Sequence, residues 1–280
     1  MSALAQDLEV AELHAPVHYP EGPCPWRGGL LFVEYTRDAL VFLHEGVTRD
    51  LWSEPGCGPS AVQAAPDGTL WVCAYEARAL VQLDPQGHEL TRHVADRAGR
   101  PLPGPNDLAI AADGTVYFTV SGEFEPEAPA EGAVCRLRPG GVPERVARGL
   151  HYANGIALGS AALYATEHFR DRVLRFPLGP GGEVGPGEVH ADLSRLAGPR
   201  SPLRGPDGIA LGPAGELYAA HFACGQLARF DPRGEPLAPI ALPLQFPTNV
   251  ALLPEGGLVV TAFAADAAPH LGALLRIGAS

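Results

Sequence analysis

Apolar and polar positions along the chain fall into one phrase that recurs six times. Each copy has a turn-rich anchor, an apolar run, an Asp-Gly-like turn and a second apolar run carrying an aromatic. The anchors Glu21, Ser60, Asn106, Asn154, Asp207 and Asn249 lie 39, 46, 48, 53 and 42 residues apart, the length of one four-stranded sheet with its connections. In the second copy the runs are 61–65 and 69–75 around Asp67-Gly68, and in the third 108–112 and 115–119 around Asp113-Gly114. Asp-Gly between apolar runs predicts a hairpin, because Gly accepts the positive φ that a tight turn needs. A third strand follows with its own turn, as in 79–83 before Asp84-Pro85-Gln86-Gly87. One such sheet cannot bury both faces, so six must stack around an axis. The expected fold is all-β, a six-bladed β-propeller of four-stranded antiparallel blades with almost no helix.

The repeat runs unbroken from about residue 15 to the C-terminus, so residues 1–280 are expected to form one propeller domain. Residues 273–277 need a neighbour, and a strand from about 3 to 13, within the segment 1–14, is expected to close the last blade. The 34 Gly and 29 Pro suit about two dozen tight turns. A net charge of −12 argues against nucleic acid and anionic membrane surfaces as partners, since those bind basic patches. No apolar run reaches membrane-spanning length, and the acidic N-terminal segment does not read as a secretory signal. The five cysteines are odd in number and lack C-x-x-C spacing, which fits free thiols in a reducing cytoplasm. Cys24, three residues after Glu21, is expected near the axis. The assembly expected is a monomer or a small homo-oligomer.

In a propeller the first strand of each blade lines the tunnel, so the anchors meet at one rim. The hairpin returns the end of the second strand to that rim, which brings Glu34 or Tyr35, Ser121, Glu167 with His168, and His221 near the anchors. The polar, Pro-rich segment 121–131 opens from such a strand end and is expected to form a lid. Five of the six anchors carry oxygen donors suited to a hard cation.

Glu21-Gly22-Pro23, Asn106-Asp107, Asn154-Gly155 and Pro206-Asp207-Gly208, in that order and in register with the repeat, resemble the senescence marker protein / gluconolactonase / luciferin-regenerating enzyme family over nearly the whole chain. The resemblance implies a divalent-metal-dependent hydrolase of lactones or related esters, with one cation in the tunnel. It makes Glu21, Asn154 and Asp207 metal ligands, and Asn106 either a fourth ligand or a substrate contact. Two carboxylates and two amide carbonyls form an all-oxygen set that favours Ca2+, with Mg2+ or Mn2+ next, over Zn2+. Glu123, beside Glu125 and Glu127 in the lid, is the matching candidate for a substrate contact.

One departure bears on the substrate. The sugar-lactone enzymes carry an arginine two positions before the asparagine of this motif, and here that position is Gly104. With Trp26, Phe124 and Phe169 as candidate rim aromatics, a less polyhydroxylated lactone or ester than gluconolactone is expected. Asp207 is the first candidate for the general base, with Glu167 and His221 in reserve. Ser60 lies in Gly-Pro-Ser and not in a nucleophile elbow, which argues against a covalent serine hydrolase. Asn249 has no matching motif and is expected to make core hydrogen bonds. Two other classes stay open: a phosphotriesterase or a strictosidine-synthase-like enzyme, in which Glu167 would matter more than Asp207, and a non-catalytic binding propeller.

Overall fold

The computed structural model describes residues 8–279. Six antiparallel sheets of four strands follow one another, and the innermost strands, Pro20–Trp26, Pro59–Ala64, Pro105–Ile110, Ala153–Leu158, Gly205–Leu211 and Phe246–Leu252, pack side by side in a closed ring. Among the described residues the only helical segments are three single 3-10 turns, Tyr35–Arg37, His168–Arg170 and Leu193–Arg195. None is long or apolar enough to cross a membrane.

The repeated turns take the local chemistry that the sequence predicts. Thr69 N–H donates to Asp67 Oδ1 at 2.9 Å, Thr115 N–H donates to Asp113 Oδ1 at 2.9 Å, and the glycines after these acids sit at φ +87° and +82°. The side chain of Asp thus closes the turn and Gly supplies the left-handed residue.

Period-2 alternation then divides each blade between its two neighbours. In Gly29–Glu34, Leu31 and Val33 pack with Val62, Leu70 and Val72 of the second blade, while Leu30 and Phe32 pack with Val259 and Leu274 of the sixth. Each gap between adjacent blades holds its own apolar layer in this way. The core is therefore a ring of six layers around a polar axis.

Closure is made within the sixth blade, whose outermost strand comes from the N-terminal segment. Leu8–His18 runs antiparallel to Leu271–Ala279, with Val10 opposite Ile277 and Glu12 opposite Leu275. The strand extends past the expected end near residue 13 as far as His18, because the chain passes almost directly from it into the first innermost strand at Pro20. Residues 3–7 of the expected strand lie outside the described residues.

Phe32 is fully buried between two blades, whereas Val47 is 70% exposed. Phe32→Ala is expected to lower unfolding free energy by about 3–5 kcal/mol through lost burial and a cavity, and Val47→Thr by less than about 0.5 kcal/mol. Urea unfolding of the two variants checks this.

Candidate active site

Every innermost strand starts with a bulge. Its register against the second strand shifts between Glu21 and Cys24, Pro59 and Ala61, Pro105 and Leu108, Ala153 and Ile156, Pro206 and Ile209, and Pro247 and Asn249. A bulge inserts an extra residue and re-aims side chains, and here it creates two successive rows around the axis. Glu21, Ser60, Asn106, Asn154, Asp207 and Thr248 form the outer row. Gly22, Ala61, Asp107, Gly155, Gly208 and Asn249 form the inner one. The sixth anchor is thus Thr248, and Asn249 belongs one position deeper.

The outer row opens onto a cavity of about 590 Å³, whose lining includes Glu21, Ser60, Asn106, Asn154 and Asp207. The four candidate oxygen ligands and Glu123 therefore share one chamber. Beneath them Asp107 of the third blade accepts hydrogen bonds from Leu108 N–H at 2.8 Å and Ile156 N–H at 3.1 Å, and another from Asn249 of the opposite blade. Asn249 also accepts from Val250 N–H at 2.7 Å, the core hydrogen bonding expected of it. This pair spans the axis, and the rest of the inner row must be small. A Cβ at Gly208 would overlap the Asn249 amide, and one at Gly155 would overlap the Asp207 carbonyl.

Glu21 and Asp207 are both buried. Burial, then the charges of Asp207 and Asp107, push the Glu21 carboxyl well above its ordinary value, against hydrogen bonds from Gly22 N–H and Thr248. Burial and the Asp107 charge push Asp207 up as well, against a hydrogen bond from Asn154. Asp107 itself is pushed up by burial to about 6, held back by its three hydrogen bonds. Three acids at one axis with no basic side chain among their partners are poorly balanced by protein alone. Two carboxylates and two amide oxygens facing one chamber fit a hard divalent cation. Among the described residues no three or more His, Cys, Asp or Glu side chains are gathered as a metal cluster, at the axis or elsewhere.

Two candidate bases are placed away from the chamber. Glu34, Glu167 and His221 occupy the same position in their blades, opposite the residue just before the anchor. Glu167 Oε1 accepts from His151 N–H at 2.9 Å and Oε2 pairs with Arg172 at 2.6 Å, while Glu34 does the same with His18 N–H at 2.7 Å and with Arg37. Both glutamates fasten the chain where it crosses between blades. His221 is fully buried, with Nε2 3.1 Å from Asp171 Oδ1 and Nδ1 3.1 Å from the Gln226 amide. Neither Glu167 nor His221 lines the axial chamber, so strand-end proximity to the anchors does not extend to their side chains. Burial raises Asp171, but the His221 hydrogen bond and the nearby His221 and Arg204 groups outweigh it and hold this carboxyl below its ordinary value.

The rim aromatics also differ in part from expectation. Trp26 lies at the far end of its strand, in edge contact with Phe42 at 5.0 Å, and Cys24 packs in the layer between the first two blades. The cavity is walled instead by Tyr19, Tyr35, Tyr75, Tyr152, Phe124 and Phe222. Phe124, on the irregular segment after Ser121, packs against Tyr152 at 4.9 Å and Phe169 at 5.0 Å.

Sequence reasoning gave Asp107 no role and, of the four tyrosines in the wall, placed only Tyr35 near the anchors. Asp107 carries a signal, as the one acid directly following an anchor. Tyr19 and Tyr152 stand two residues before anchors at φ +46° and +59°, a conformation uncommon for a bulky residue, and nothing in the sequence alone marks it.

His168 is buried among Phe124, Tyr152, Phe169 and Phe222, and burial pushes its pKa down to about 4. An unfolded histidine titrates near 6.5, so the unfolded chain takes the proton first. The stability this group contributes is complete above about pH 6.5 and is lost as pH falls toward 4, by up to about 3 kcal/mol. His168→Phe is expected to flatten that slope, and urea midpoints of both proteins at pH 7 and 4.5 check it.

A family profile described as "SMP-30/Gluconolactonase/LRE-like region" matches residues 19–264. The gluconolactonase of Zymomonas mobilis is 26% identical over 253 residues, which cover 80% of this chain and 70% of that protein. Among solved structures, a gluconolactonase from Xanthomonas campestris superposes with a TM-score of 0.78 at 23% identity, covering 97% of this chain and 90% of its own. A calcium-binding protein, regucalcin, from Agrobacterium tumefaciens gives 0.78 at 20% identity over 95% of this chain and 91% of its own. At these identities the two structures speak for the fold.

Proposed function

The chain belongs to the SMP-30/gluconolactonase/LRE-like family, and we propose that it is a metal-dependent lactone hydrolase working at the axial chamber. One observation carries the reading: two buried carboxylates, Glu21 and Asp207, face the same cavity as Asn106 and Asn154 with no basic side chain among their partners. The names of its relatives support it, since the Zymomonas and Xanthomonas proteins are gluconolactonases.

Glu21, Asn154 and Asp207 are the residues that would hold a divalent cation, with Asn106 as fourth ligand or as donor to the substrate. Calcium is favoured by the all-oxygen set and by the calcium-binding regucalcin that shares the fold. When bound, the cation supplies Lewis-acid polarisation of the ester carbonyl. Asp207 takes a proton from the attacking water, whose oxygen adds to the carbonyl carbon. The ring C–O bond then breaks, and the proton passes from Asp207 to the departing alkoxide. The aromatic wall keeps bulk water from the reacting ester, and Glu123 at the mouth contacts the substrate. The five buried, unpaired cysteines suit a reducing compartment, and we place the protein in the cytoplasm.

Asp207→Asn keeps an oxygen donor but removes the proton acceptor. It is expected to lower kcat for a lactone by about 10²-fold or more, and chelator is expected to abolish turnover of the unmutated protein until calcium is restored. Glu167→Gln and His221→Ala are expected to cost less than about tenfold. A nearly active Asp207→Asn beside an inactive, folded Glu167→Gln would move the base to the strand end.

A further inference from the structure

We propose that the axial chamber selects a neutral, hydroxyl-poor lactone bearing an apolar or aromatic arm, and that Tyr75 sets this preference; the proposal rests on the lactonase reading. The repeat itself builds an aromatic wall. Two residues before each anchor stand Tyr19, Gly58, Gly104, Tyr152, Gly205 and Phe246. Where that residue is glycine, the residue just past the preceding blade's second strand packs over it: Tyr35 together with Glu76 over Gly58, Tyr75 over Gly104 and His168 over Gly205. A Cβ at Gly104 would lie 2.5 Å from Tyr75 Cε2 and 2.9 Å from Cδ2. Any side chain at 104 must therefore displace the Tyr75 ring.

The wall offers ring faces and few free donors. Tyr35 O–H donates to Glu76, Tyr152 O–H donates to Tyr75 Oη at 3.1 Å, Tyr75 O–H donates to Gly122 O at 3.1 Å, and Ser60 O–H donates to Asn106 O at 2.7 Å. A sugar hydroxyl laid on these ring faces gives up water without gaining a partner, at a cost on the order of tenfold in affinity for each. An apolar arm meets the rings without that cost. Charge excludes a second class of ligand. Glu76, Glu123 and Glu131 share the lining with the axial acids, against Arg78 as the one basic residue. An arm carrying a carboxylate, sulfonate or phosphate is therefore repelled.

Binding of lactams, which keep the ring and resist hydrolysis, separates this proposal from the hydrolytic reading. With calcium-loaded full-length protein in calorimetry, a phenyl-substituted δ-valerolactam is expected to bind at least tenfold more tightly than gluconolactam or a carboxylated lactam. Tyr75→Ala is expected to reduce that ratio to within threefold, and Tyr75→Phe, which keeps the ring, to preserve it. Gluconolactam binding as tightly as the phenyl compound, or a folded Tyr75→Ala that weakens all three equally, overturns the proposal. Should Tyr75→Ala fail to fold, Tyr75→Leu and the ratio in the unmutated protein decide it. Lactone turnover measured in parallel judges the hydrolase reading alone: no turnover together with the expected lactam ratio removes the reaction and leaves the selectivity standing.

Discussion

Crowding at the axis is the constraint on which the rest of this molecule depends. Six strands begin within one narrow ring, and each must bend there without losing its pairing, which the bulge near the start of each achieves. The bend sets two rows of side chains around the tunnel, and there is room in the deeper row for only two sizeable ones, Asp107 and Asn249. The outer row is then lifted onto this floor, and five of its six residues, all but Thr248, line the chamber. Glycine at 155 and 208 is therefore a consequence of packing around the axis as much as of turn formation.

The same geometry concentrates charge. Asp107 is anchored by two backbone N–H groups and by Asn249, so it cannot move away from the acids above it. Glu21 and Asp207 are held beside it by strands on other blades. Structural ion pairs take up three other acids near the rim: Glu34 and Glu167 are fastened by arginines, and Asp171 by Arg204 and His221. What distinguishes the axial carboxylates is that no arginine or histidine reaches them, which fits their proposed role as cation ligands.

Much of the architecture was legible because it repeats. The Asp-Gly turns, the alternation of apolar positions and the spacing of the anchors all report one structural unit, and six copies average out local ambiguity. The oxygen-bearing anchors Glu21, Asn106, Asn154 and Asp207 were legible for the same reason. Register within the bulge was not. Thr248 and Asn249 are adjacent, both polar, and only pairing with Thr261 and Ala262 shows which of them is the anchor. Nor does proximity along a strand predict which way a side chain points, so Glu167 and His221 read as site residues although their polar atoms are engaged between blades. The aromatic wall was hidden because it is assembled from neighbouring blades, each ring fitting a glycine some 23 to 37 residues further along the chain.

Everything proposed for the site depends on the axial ring being one cation site. Calorimetric titration of the full-length protein with calcium tests that most directly, run beside Glu21→Gln and Asp207→Asn. One ion per chain is expected in the unmutated protein, with affinity lowered at least about tenfold in each variant, or about 1.4 kcal/mol. Unchanged affinity in both variants, or binding without a single stoichiometric site, would contradict it.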